Sequence, residues 1–252
     1  MTFSISQVLL ASTIVISTYG TYIGLSPPNP PKKPPPSTGD TLRAAGIVTS
    51  RHFPKLSLSP FFILGLHTSL LALYYPNIPP WLLHPGSDTT PNYDQGDGLN
   101  ANLITWSAAT IIPLILVTGV GIPLRLGAYS TLGKNFTFTL AEPDTLVTGG
   151  MYRYVQHPSY VGILVLFFGN LALLARTDGA VVCWLWGIEG LREGWYGPVK
   201  AVYLLGIVVV SSVIMLGGWT RVKEEERMLK AKFGEEWVRW NKRTARFVPG
   251  VF

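Results

Sequence analysis

Long uncharged apolar runs alternate with short polar segments along this chain, and the runs have the lengths that bilayers select. Phe3 to Leu25 carries no charged side chain. At about 1.5 Å per residue it reaches across a hydrocarbon core of about 30 Å, so it is read as a first span. It lacks the basic n-region and small-residue cleavage site of a signal peptide, and is therefore expected to be retained. Further runs at Leu56 to Tyr75, Leu99 to Leu124, Pro158 to Ala175 and Ala201 to Thr220 predict an all-α membrane protein. The count is about five transmembrane helices, from run length and hydropathy together.

The polar segments set an orientation. Pro27 to Pro36 is proline-dense, which excludes helix and sheet and favours an extended, solvated connector. Lys32, Lys33, Arg43, Arg51 and Lys55 make that loop positive, whereas Pro76 to Gly98 holds Asp88, Asp94 and Asp97 and no lysine or arginine. Arg125, Lys134 and Arg153 mark the next connection as positive, and so does the tail from Arg221. The positive-inside bias then places the N-terminus in the lumen and the C-terminal tail in the cytoplasm. That tail reads as a helix broken at Gly234. Ala180 to Ile188 is apolar but too short to cross and is expected at the membrane interface, where Trp184, Trp186 and Trp195 are at home. The chain thus divides into a first helix (1–25), a proline-rich linker (26–55), helices two and three (56–131), and a C-terminal region with helices four and five and the tail (132–252).

Composition narrows the function. Hydrophobic residues make up 48% of the chain and charged ones 13%, against a net charge of +6. The basic residues collect beside apolar runs instead of interleaving with aromatics, so no nucleic-acid partner is expected, and the bilayer is the first partner. The single cysteine, Cys183, can form no internal disulfide, and no metal site is expected. His67, inside the second span, reads either as functional or as a neutral histidine bonded to a neighbouring helix.

Most of the chemically capable side chains gather in two stretches where apolar meets charged: DTLVTGGMYRYVQHPSY, Asp144 to Tyr160, and RVKEEERML, Arg221 to Leu229. Pro158 suits a first helical position, because its missing N–H would be unpaired there and its φ is already helical. The free N–H groups of that helix point back toward His157, Tyr152 and Gly149-Gly150, where a polar or anionic ligand could rest. The two stretches emerge on the same side of the membrane, so Tyr152, His157 and Tyr160 can approach Arg221 and Glu225. Arg221 offers a fork of donors suited to a carboxylate, and Glu225 an acceptor suited to an ammonium group. On spacing alone, however, that pair reads first as an i,i+4 salt bridge worth about 0.3–0.5 kcal/mol.

The motif LVTGGMYRYVQHPSYVG, followed by R-x-x-x-E-E-x-x-L, FGEEW and a late Val-Pro, resembles the isoprenylcysteine carboxyl methyltransferase family of integral membrane enzymes, over roughly Leu132 to Pro249. The resemblance implies transfer of a methyl group from S-adenosylmethionine to the α-carboxylate of a C-terminal prenylated cysteine in CaaX-processed proteins. It implies a multi-pass protein of the endoplasmic reticulum membrane with its site on the cytoplasmic side, completed by the C-terminal helical tail. Carried over residue by residue, Asp144, Thr145, Leu146, Val147, Tyr152, His157, Pro158, Ser159 and Tyr160 would line the cofactor pocket. Glu225 would hold the cofactor's polar end, and Arg221 would meet the substrate carboxylate; these two would be the catalytic residues. Gln156 departs from the family's arginine before His-Pro, and Trp237 and Trp240 replace two tyrosines.

Such a reaction needs little protein chemistry. A carboxylate with a pKa near 3.5 is already an ionised nucleophile at neutral pH and needs alignment and a dry pocket, not a general base. Three other readings stand beside it. One is a phospholipid or other lipid methyltransferase sharing the cofactor site, another is a non-enzymatic membrane scaffold, and the third is a channel or transporter, which would want polar residues along the spans, where apart from His67 there are few.

Overall fold

A computed structural model describes residues 3–29, 53–83, 98–138, 140–186 and 195–250. The predicted proline-rich linker from residue 30, the acidic residues Asp88, Asp94 and Asp97, and Glu189, Arg192 and Glu193 lie outside those residues. The described chain is helical: α1 (Ile5–Leu25), α2 (Phe53–Tyr74), α3 (Pro80–Leu83), α4 (Ala108–Ile115), α5 (Ile122–Leu132), α6 (Pro158–Leu174), α7 (Ala180–Trp186), α8 (Tyr196–Phe233) and α9 (Glu235–Asn241). Among the described residues the β structure is limited to an isolated bridge between Val155 and Ala245. The protein is an all-α membrane protein. Among the described residues three helical stretches are long and apolar enough to cross a bilayer, Ile5–Leu25, Ala101–Asn135 and Tyr196–Phe233, and two shorter apolar ones are Leu58–Tyr74 and Pro158–Leu174. Pro158–Leu174, at 17 residues, stands at the lower limit of about 17–25 residues for a span, and Leu58–Tyr74 belongs to the 22-residue α2.

The chain forms two compact units, each drawn from three stretches. The first unit takes Met1–Tyr22, Leu58–Gly119 and Leu166–Val209. Its core packs Leu10 and Ile14 of α1 against Leu71 and Ala72 of α2, Leu82 and Leu83 of α3, Leu173 and Leu174 of α6, and Ala180, Val182 and Cys183 of α7. Gly65 lets α1 and α2 meet closely: a Cβ there would stand 2.4 Å from the Thr18 hydroxyl oxygen. That buried hydroxyl is satisfied by the Ile14 carbonyl at 2.8 Å, a bond within its own helix. Asn170 donates to Thr21 Oγ1 at 3.0 Å and to the Leu166 carbonyl at 2.7 Å, so its buried amide is also partnered.

Two expectations change. The third span is not one uniform helix over Leu99 to Leu124. A 3₁₀ turn at Ala101–Leu103 precedes α4, Ser107 caps α4 through a capping box, and a π-helical stretch, Leu116–Gly121, joins it to α5. The stretch then runs on to Asn135, so Arg125, read as a loop residue, lies within helix α5 and is buried. In the patch from Ala180, Ala180, Val181, Val182 and Cys183 are buried in the first unit's core. Trp184 and Trp195 stay substantially exposed.

His67 resolves as the bonded histidine. Its Nδ1 accepts from Trp184 Nε1 at 2.9 Å, which leaves Nε2 to carry the proton and donate to the Leu82 carbonyl at 2.8 Å. One neutral ring thereby fastens α2 to α3 and α7.

Helix α8 matters most for the second unit. Its 38 residues extend about 57 Å at about 1.5 Å per residue, well beyond a hydrocarbon core of about 30 Å. Its apolar window has no residue buried among the described residues, as suits a face turned to lipid. The same helix continues without a break through Arg221 to Phe233. It stops at Gly234, whose φ of +51° with ψ of −121° is a backbone conformation open to glycine and strained for other residues, with its N–H on the Lys230 carbonyl at 3.0 Å.

Replacing His67 by alanine strands the Trp184 N–H and the buried Leu82 carbonyl. Leaving a buried group unsatisfied costs about 1–3 kcal/mol. Thermal unfolding of the detergent-solubilised variant should therefore show a lowered midpoint, and an unchanged midpoint would contradict this account of His67.

Candidate active site

The second unit comprises Ile23–Ser57, Val120–Val165 and Val210–Phe252, and it contains both chemically dense stretches. Its buried cluster is Leu140, Met228, Leu229 and Trp237, with Leu146, Phe233, Val238 and Trp240 packed against it. The loop before α6 and the far half of α8 therefore share one core. A 3₁₀ turn, Gly150–Arg153, buries Tyr152, and α6 begins at Pro158 as the proline geometry requires. Gly150 adopts φ +58°, which explains the second glycine of the pair.

Three consecutive glutamates on α8 turn to different partners. Glu224 forms an ion pair with Arg221 at 3.9 Å. Glu225 accepts the Tyr160 hydroxyl at 2.9 Å, across 65 residues of chain. Glu226 accepts from His157 Nε2 at 3.2 Å, and Arg246 grips both its oxygens, Nε and Nη2 each at 2.8 Å. Arg221 is buried and donates through Nη2 to the Phe138 carbonyl at 3.0 Å. Burial, reinforced by the Glu225 carboxylate, pushes the Tyr152 phenol well above its ordinary value, so it is neutral at physiological pH.

A strap from the C-terminal tail closes this arrangement. Residues 244–247 run parallel to 154–157: Gln156 N–H donates to the Ala245 carbonyl at 2.8 Å, His157 N–H to the Arg246 carbonyl at 3.0 Å, and Ala245 N–H to the Tyr154 carbonyl at 3.1 Å. Gln156, buried, directs its side-chain N–H₂ to the Thr244 carbonyl at 3.0 Å and the Asn241 carbonyl at 3.3 Å. Trp240 Nε1 reaches the Tyr152 carbonyl at 2.8 Å. Phe247 lies over His157, ring centroids 5.9 Å apart.

The sequence-predicted residues thus fall into groups. Tyr152, His157, Pro158, Ser159, Tyr160, Arg221 and Glu225 lie in one unit, with Tyr160 bonded directly to Glu225 and all but Tyr160 and Glu225 buried. Leu146 packs on the buried cluster, whereas Asp144 and Thr145 are exposed and Val147 is half-buried. Asp144 is tied by its N–H to Asn135 Oδ1 at 3.4 Å. Ser159 turns its hydroxyl to Arg125 within the unit. Sequence reasoning did not single out Glu226 or Arg246. Glu226 could have been found, since it is the second glutamate of the E-E pair. Arg246, one of several basic tail residues, carried no local signal.

Comparisons with known proteins agree with the motifs. The family model described as the isoprenylcysteine carboxyl methyltransferase family matches residues 112–188. The chain is 29% identical over 152 residues to protein-S-isoprenylcysteine O-methyltransferase of Mus musculus, covering 59% of this chain and 43% of the mouse protein. It is 28% identical over 136 residues to protein-S-isoprenylcysteine O-methyltransferase B of Arabidopsis thaliana, covering 51% of this chain and 53% of that protein. With form A of the same plant the identity is 38% over 66 residues, or 25% of this chain and 34% of that protein. The chain spans less than half the length of the mammalian relatives it matches. No solved structure matches it at comparable significance. The chain resembles the isoprenylcysteine carboxyl methyltransferase family in sequence as well as in its motifs.

Replacing Arg246 by methionine leaves Glu226 with His157 alone and releases the strap. Loss of hydrogen bonds to a charged group should destabilise the protein by about 1.5–3 kcal/mol. Amide hydrogen exchange should rise at Gln156, His157 and Ala245 together, and protection retained at all three would show that the strap holds without Arg246.

Proposed function

We propose that the protein methylates the C-terminal carboxylate of prenylated cysteine, with S-adenosylmethionine as methyl donor, at the cytoplasmic face of the endoplasmic reticulum membrane. The family match supports the chemistry, and one contact carries the reading to this site. The Tyr160–Glu225 bond joins the two family motifs, and it does so with Arg221 one helical turn before Glu225 on the same α8 surface.

The side chains suit the cofactor. Glu225 gives one oxygen to Tyr160, and its carboxylate can accept from the ammonium group of an amino acid. Aromatic rings such as those of Tyr152 and Tyr160 are suited to a sulfonium or an adenine. Tyr152, His157 and Ser159 are buried beside Glu225's partner Tyr160. S-adenosylmethionine supplies a methyl group on a positively charged sulfur. The protein's task is then to hold a ready nucleophile in line with it. Arg221 is buried at the point where α8 leaves the bilayer, so a guanidinium fork can meet a carboxylate there while the attached prenyl chain stays in lipid. An anionic acceptor fits that cation better than a lipid amine does.

Two substitutions separate cofactor from acceptor. Glu225→Gln should weaken binding of S-adenosylhomocysteine by about 1.5–3 kcal/mol, because an amide cannot pair with ammonium as a carboxylate does. Titration of the purified variant checks it, and unchanged affinity removes Glu225 from the site. Arg221→Lys keeps the charge and loses the fork. Initial rates of methyl transfer to a farnesylcysteine analogue should fall far more than S-adenosylhomocysteine affinity does. Near wild-type turnover would leave Arg221 as a structural cation held by Glu224 and the Phe138 carbonyl.

A further inference from the structure

Arg125 is the most deeply buried charged side chain among the described residues, at 1% exposure, and it belongs to neither motif. Its bonds reach three elements of the second unit. Nε donates to the Gly24 carbonyl at 2.7 Å, in the last turn of α1, where carbonyls have no partner within their helix. Nη2 meets the Tyr129 hydroxyl at 2.6 Å, one turn along α5, and Nη1 bonds the Ser159 hydroxyl in the first turn of α6. The rings of Tyr129, Phe136 and Phe138 lie 4.8, 5.4 and 5.3 Å from the guanidinium carbon, a favourable setting for a cation. Nε, Nη1 and Nη2 thus each have a partner within the protein.

Gly162 shows how tightly α6 is seated on it. A Cβ at that position would stand 2.9 Å from Arg125 Cγ and 3.2 Å from its backbone nitrogen, so only glycine admits the contact. Ser159 sits between His157, which meets Glu226, and Tyr160, which meets Glu225. In a helix each residue's direction is fixed relative to its neighbours by 100°, so whatever sets Ser159 also aims Tyr160.

We propose that Arg125 is a positioning residue of the methyl-transfer site: through Ser159 it sets the rotation of the first turn of α6, and so directs Tyr160 onto Glu225. This rests on the functional reading above. The test uses the full chain in detergent, with Ser159→Ala, Arg125→Lys and the double variant. Amide hydrogen exchange over 156–162, kcat/KM for a farnesylcysteine analogue and the thermal midpoint are measured on the same preparations.

Ser159→Ala, which removes one oxygen and leaves the packing, should raise exchange in that segment. It should lower kcat/KM by about tenfold or more, the scale of one charged hydrogen bond. The double variant should be no worse than the poorer single one, because both remove the same bond. Ser159→Ala with wild-type exchange and wild-type kcat/KM overturns the proposal, and so do additive losses in the double variant. Should wild type transfer no methyl group to any prenylcysteine, the functional reading fails. The exchange data then decide the role of Arg125 alone: raised exchange in Ser159→Ala supports the coupling, and unchanged exchange removes it.

Discussion

Three adjacent carboxylates on a helix cannot face the same way. At 3.6 residues per turn Glu224, Glu225 and Glu226 point about 100° apart, and each is at least half-buried, so each must find a donor in a different direction. Glu224 finds Arg221 on its own helix, Glu225 finds Tyr160 on α6, and Glu226 finds His157 and Arg246. Most of what holds the second unit around its site follows from meeting that demand. The apolar cluster of Leu140, Met228, Leu229 and Trp237 supplies the burial that makes the demand strict.

The length of α8 turns this local requirement into a link with the membrane. A helix that leaves the bilayer without a break keeps the glutamates at a fixed height and phase relative to its lipid-facing half. The strap of residues 244–247 adds backbone hydrogen bonds to 154–157, so the segment carrying His157 is fixed from one side by the tail. Gln156 serves this arrangement well: its amide donates to two tail carbonyls, a task that an uncharged side chain performs in a buried setting without a counter-ion.

Much of the fold was legible because apolar run length reports directly on the bilayer. Helix starts at Pro158 and the stop at Gly234 were legible because proline and glycine act through their own backbone chemistry. Arg125 was misread because charge is taken as a sign of water, whereas this guanidinium is satisfied by a helix end, a serine, a tyrosine and aromatic faces. The burial of α7 was missed because its apolar run is too short to cross, and length says nothing about which core such a run can fill. Both candidate stretches were visible as motifs, and their meeting could be inferred from topology. The strap was not legible, since backbone contacts between residues 89 or more apart leave no periodic trace, and Arg246 meets Glu226 from beyond the helix break at Gly234, where no helical spacing relates the two.

The most direct test of the account is methyl transfer itself. Purified wild-type protein in lipid nanodiscs is given S-adenosylmethionine labelled in the methyl group and either a farnesylcysteine analogue or a phospholipid amine. The account predicts label in the farnesylcysteine as a base-labile ester and none in the amine. Label in the amine alone, or in neither acceptor while the protein binds S-adenosylhomocysteine, would contradict it.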